Sequence, residues 1–149
     1  MRNDEFGRLS LVMLGWLIVQ FLIGMATNLF VDITRNHPGA NPPEYFSGVA
    51  QSVTWAILHG PVLLQLHAVL GLVLLIGAVS VFVRAMRLGA TRAVKIATGI
   101  GGVAILGAGF NGGSFLNYDE DFSSMIMASF FAIAVAGYVA TLYYSQEPA

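Results

Sequence analysis

The sequence predicts an all-α, four-helix transmembrane bundle, up-down-up-down, with a short interfacial helix between the first two spans. Three observations predict it. The 149-residue chain is 56% hydrophobic and only 10% charged, whereas a soluble domain carries about 25% charged residues. Its mean hydropathy is +0.74. Its apolar residues gather in four runs, each near the ~20 residues that cross a hydrocarbon core. The whole chain, 1–149, reads as one membrane domain.

The composition also excludes chemistry. There is no Cys, so disulfides, Cys-ligated zinc, iron–sulfur clusters and thiol redox are absent. Net charge is −1, and no basic run suggests a nucleic-acid partner.

The first span covers about residues 9–31 and is uncharged. Its apolar run exceeds the 7–15 residues typical of a signal-peptide core, so it reads as a retained helix. Residues 32–45 form a loop, because Asn36-His37-Pro38-Gly39-Ala40-Asn41-Pro42-Pro43 cannot be helix interior. Ser47 is then placed to cap an interfacial helix over about 47–58, with Trp55 as its anchor. One straight helix over 47–83 would be about 55 Å long, too long for the membrane, so Gly60-Pro61 marks a break. The second span covers about 60–83, with Pro61 in its first turn, where a missing N–H costs nothing.

The third span covers about 93–116. Asn117-Tyr118-Asp119-Glu120-Asp121 reads as an acidic turn. The fourth covers about 122–144, with Tyr138, Tyr143 and Tyr144 as an interfacial belt, and 145–149 is a polar tail. Arg2, Arg8, Arg84, Arg87, Arg92 and Lys95 fall on one side and Arg35 alone on the other. The positive-inside rule therefore puts both termini in the cytoplasm, in a bacterial inner or cell membrane.

Small residues recur every four positions in the last two spans: Ala128, Ala132, Ala136 and Ala140 in the fourth, and Ala104, Ala108 and Gly112 in the third. A second ridge in the third span holds Ala97, Gly101, Gly109 and Gly113, broken by Ile105. Such ridges let membrane helices approach closely. They predict a close antiparallel pair, with the second ridge free for an oligomer contact.

Function is sought around His67, the one group inside the spans that titrates near neutral pH. An ionisable side chain in an apolar span is costly and marks a site by default. His59, eight residues earlier, would share a broad face with it, about 12 Å away along one helix axis. Asn28, Asn111, Ser129, Met125 and Met127 fall at similar depth on the other helices, while the inner half reads as almost wholly apolar. Polar groups in lipid must satisfy one another, which predicts an outward-facing polar pocket centred on His67. Gln20, mid-span, reads as an interhelical bond or subunit contact.

The pocket admits several occupants. The His67 imidazole suits the iron of a haem b, with Met125, Met127 or a second copy's histidine as the opposite ligand. Leu66-His67-Ala68-Val69-Leu70-Gly71 resembles the histidine-bearing helix of b-type bundles, which implies electron transfer. A small ligand held by His67 with Asn and Ser support is another occupant. A metal near His37, His59 and the outer carboxylates lacks a compact ligand spacing. Against these stands a neutral His67 that ties helices together through Asn28, Ser129 or a carbonyl.

There is no Ser/His/Asp set, HExxH, P-loop or GxGxxG, and Lys95 at a span edge is the one charge within 9–31, 60–83, 93–116 or 122–144. The expected role is therefore a non-enzymatic subunit or oligomer in the lipid bilayer, with haem-based electron transfer as the alternative.

Overall fold

The computed structural model describes residues 2–146, with side chains over 4–146. It is all-helical, with five helices: α1 (Arg2–Phe30), α2 (Tyr45–Leu58), α3 (Val62–Arg87), α4 (Arg92–Tyr118) and α5 (Asp121–Ser145). All but α2 are long and apolar enough to cross a membrane. Each runs at least two residues past its predicted span in total, most clearly where charged ends continue the helix: Asp4 and Glu5 lie in the first turn of α1, and Arg84 and Arg87 in the last turn of α3. Those charges favour the ends of the helix dipole at which they sit. Of the polar tail, Ser145 closes α5, and 147–149 lie outside the described residues.

Two boundary expectations need correction. Glu44, not Ser47, caps α2: its carboxylate accepts the N–H groups of Phe46 at 3.0 Å and Ser47 at 2.6 Å. A carboxylate there also meets the positive end of the helix dipole. Pro61 stands just before α3 rather than in its first turn, in an extended conformation (φ −54°, ψ 148°). Its ring also holds the preceding residue out of helical geometry, so α2 and α3 are separate helices.

The four long helices form a ring in which α1 meets α3 and α5, and α4 meets α3 and α5; the α4–α5 contact is the most extensive. The contacts pair residues in reverse order. Between α1 and α3, Gly24 faces His67 and Met13 faces Gly77; between α4 and α5, Gly101 faces Tyr138 and Gly112 faces Met127. A central core of Met13, Leu17, Leu74, Ala78, Val81, Ala104, Ile105, Ala134 and Tyr138 fills the ring. Phe6, Ala85, Ala90 and Val94 close one end, and Ala56, Leu64 and Leu116 close the other, beneath α2.

The close α4–α5 pair is present, but a different face of α5 makes it. Ala128, Ala132 and Ala136 are exposed and Ala140 is half-buried; Ala134, Gly137, Tyr138 and Thr141 are buried. The closest approach is Gly137 on Gly101. A Cβ on Gly137 would lie 2.9 Å from the Gly101 nitrogen and 3.1 Å from the Ala97 carbonyl oxygen. The second α4 ridge is thus largely used within the chain: Ala97 and Gly101 meet α5, and Gly113 meets Val49 of α2. Gly109 is exposed.

Candidate functional site

His67 lies in the second turn of α3, half-buried at the seam with α1. Gln20 of α1 reaches across to it. The Gln20 Nε2 lies 3.2 Å from the backbone carbonyl oxygen of His67 and 3.3 Å from its ring Nε2. A carbonyl only accepts, so the nitrogen of the amide must face it. The same nitrogen then meets the imidazole as a donor, which makes Nε2 the acceptor and places the ring hydrogen on Nδ1. Gln20 thereby spends both amide hydrogens on one residue and fixes the histidine as a neutral tautomer.

Two glycines make room for this clasp. A Cβ on Gly24 would lie 2.8 Å from His67 Cε1, and one on Gly71 would lie 3.5 Å from the Gln20 nitrogen. Each polar side chain therefore lies over a glycine of the facing helix. The outer atoms of the pair, His67 Nδ1 and Gln20 Oε1, are buried without a hydrogen-bond partner.

The other residues expected around His67 are not brought to it. His59 is exposed and ends α2, its N–H donating to the Trp55 carbonyl at 2.8 Å. The break at Pro61 removes the shared helical face. Asn28 is exposed. Asn111 donates to the Gly107 carbonyl of its own helix at 2.9 Å. Ser129 is exposed and donates to the Met125 carbonyl at 2.9 Å. Met125 is 58% exposed, and Met127 rests against Gly112. Single hydroxyls and amides can fold back onto the i−4 carbonyl, so matching depth on four helices does not assemble a pocket. Among the described residues, no group of three His, Asp or Glu could hold a metal ion.

Most of the buried polar residues lie elsewhere, in two places that sequence reasoning missed. One is the end of the bundle remote from α2, expected to be almost wholly apolar. Ser10, Thr98, Tyr138 and Thr141 are each fully buried there, and Ser145 is 3% exposed. Thr98 and Thr141 donate to carbonyls of their own helices, at 2.8 Å and 2.9 Å. Tyr138 is thus a core residue and not part of an interfacial belt; Tyr143, 64% exposed, does point outward, its ring edge-on to Tyr144.

The second place is a cap built by the 31–44 loop, α2 and the end of α4. Asn117, read as part of an acidic turn, is 1% exposed. Its amide nitrogen faces Ser52 Oγ at 2.6 Å and the Gly39, Gly48 and Gly113 carbonyls at 3.1–3.3 Å, and its oxygen accepts from the Val49 N–H at 3.2 Å. The Ser52 hydroxyl passes on to the Pro38 carbonyl at 3.5 Å, and the Asn41 N–H donates to the Asn117 carbonyl at 2.8 Å. Gly39 is obligatory: φ is +90°, and a Cβ would lie 2.3 Å from Ser52 Oγ.

Around this core, Tyr45 hydrogen-bonds Ser114 at 2.7 Å, and Arg35 pairs with Asp119. His37, 6% exposed, stacks on Trp55 with centroids 4.3 Å apart and donates from Nδ1 to the Pro38 carbonyl at 2.9 Å. Trp55 is therefore a packing surface for the loop. The run of Gly and Pro before α2 is the sequence signal for this cap, since such a run can fold tightly against a helix.

Comparison with known proteins adds no relative: no family model matches the chain, and no curated protein or solved structure gives a match.

Proposed function

We propose that this chain is a four-span integral membrane protein, up-down-up-down, that works as a non-enzymatic subunit or oligomer, with His67 as an interhelical clasp. The observation that carries the reading is the Gln20–His67 pair. Its ring nitrogen is occupied by a neighbouring helix, and the other expected ligand residues are exposed, bonded to their own helices or, for Met127, packed on Gly112. Interhelical hydrogen bonds of this kind contribute about 0.6 kcal/mol on average in membranes. The reverse-order contacts between neighbouring helices support the up-down topology. The exposed Ala128 and Ala132 edge of α5 supports association in the membrane, because small residues admit a second helix at short range.

Both termini lie in the cytoplasm on this reading. Glu5 pairs with Arg84, and Phe6 packs with Ala90 and Val94. This brings the start of α1 beside the α3–α4 turn, so that Arg8, Arg84, Arg87, Arg92 and Lys95 share one end, which the positive-inside rule directs to the cytoplasm.

An absorption spectrum of the protein in mild detergent, with and without dithionite, tests the non-cofactor reading. The expected spectrum is featureless beyond the aromatic band. A haem Soret band that disappears in His67→Ala would replace the clasp with an iron ligand.

A further inference from the structure

The outside of the α4–α5 seam carries a groove that the packing of the bundle leaves open. Its mouth is formed by Ala93 and Tyr144, and Ala97, Ile100, Ala136 and Ala140 lie along it, around a volume of about 510 Å³. At Ile100 and Ile133 it meets a second hollow of about 310 Å³, which reaches Val103, Ala104 and Phe130. From Ala93 to Ala104 the path measures about 16 Å at 1.5 Å per residue. That is half of the ~30 Å hydrocarbon core, the depth of one leaflet.

The mouth has a different chemistry from the groove. Ala93 is the second residue of α4, so Arg92 stands beside it. The N–H groups of Arg92 and Ala93 have no carbonyl a turn earlier to bond, and the helix dipole makes this end positive. Thr91 accepts from the Val94 N–H and leaves the first two free of it. Arg87, exposed in the last turn of α3, is not among the residues that line the groove and stands outside this mouth. An apolar slot one leaflet deep thus opens beneath a cationic mouth.

We propose that this groove holds one acyl chain of an anionic phospholipid of the cytoplasmic leaflet, with its phosphate at Arg92 and the first turn of α4. The inference rests on the membrane-spanning reading above. The small side chains of Ala97, Ala136 and Ala140 leave the slot that the chain fills, and exposed Ile100 and Ile133 flank it. The anion is selected by charge: a basic residue near the headgroups favours anionic lipid by about fivefold, from roughly 1 kcal/mol per residue.

The test is the lipid retained by protein reconstituted in nanodiscs of equal parts phosphatidylglycerol and phosphatidylcholine, extracted into mild detergent and weighed by native mass spectrometry. The expected result is roughly fivefold enrichment of phosphatidylglycerol over phosphatidylcholine. Arg92→Gln should return the ratio to that of the nanodisc, and Arg87→Gln should leave it raised. Ala136→Phe, at an exposed position that the fold does not use, should block the slot and lower total retained lipid; Ala132→Phe, outside the groove, should not. Absence of enrichment in the native protein overturns the proposal. So does enrichment lost in Arg92→Gln but untouched by Ala136→Phe, since a surface charge alone would explain it. Failure to enter nanodiscs would overturn the membrane-spanning reading and this inference with it, whereas entry without enrichment removes the lipid site alone.

Discussion

Gln20 and His67 are held together by two hydrogen bonds from one amide nitrogen, one to the imidazole Nε2 at 3.3 Å and one to the histidine's own carbonyl at 3.2 Å. The second bond decides the first. Because the carbonyl fixes which end of the amide faces α3, the ring must accept, and the histidine is tied to α1 as a neutral group.

Gly24 is the floor of this arrangement. Gly24→Ala should destabilise the protein by about 1–3 kcal/mol, the usual cost of overpacking, because the new Cβ would lie 2.8 Å from the imidazole. In a His67→Ala background the same substitution should cost little. Thermal unfolding in detergent of the two single variants and the double variant measures this, and equal penalties in both backgrounds would show that the ring does not rest on Gly24.

The α4–α5 contact gives a second expectation. Gly137→Leu should disrupt folding or lower the melting temperature steeply, since the obstacle is backbone, at Gly101 and Ala97, and cannot swing away. Ala132→Leu should melt as the native monomer does, because Ala132 is exposed. A loss on Ala132→Leu confined to assembly size would identify the association edge.

In the cap, Asn117→Ala should strip the Val49 amide of its acceptor and remove the two amide hydrogens that serve Ser52 Oγ and the nearby Gly carbonyls. Buried groups left unsatisfied cost about 1–3 kcal/mol each, partly recovered as water enters. The 31–44 loop should then become open to limited proteolysis while the four long helices keep their circular dichroism. Unchanged cleavage would show that Asn117 does not hold the loop.

Orientation is tested by single cysteines, which the native chain lacks. Thr34→Cys should react with a membrane-impermeant maleimide added to intact cells, and Leu88→Cys should react only after the membrane is opened. The opposite pattern would invert the assigned topology.

The long helices were legible because a span is a property of composition over ~20 residues, and no single residue carries it. The end positions slipped where charged residues such as Arg87 continue a helix beyond its apolar run. The site was legible only in its centre. His67 stood out by cost, and Gln20 by its place mid-span, but their pairing depends on how α1 rotates against α3, which Gly24 and Gly71 set. Asn28, Ser129 and Met125 shared a depth with His67 and not a direction. Tyr138 and Asn117 were misread for the converse reason: each sits near a helix end, where polar residues are ordinarily solvated, yet one is packed on Gly101 and the other covered by Gly48 and Ser52.

The measurement that tests the central claim most directly is a double-mutant cycle on Gln20→Leu and His67→Leu, read as unfolding free energy in detergent. If the two side chains form the clasp, the double variant loses less than the sum of the single losses, with a coupling near 0.6 kcal/mol and up to about 1.7 kcal/mol. Strict additivity would contradict the clasp and return His67 to the role of an unpartnered group awaiting a ligand.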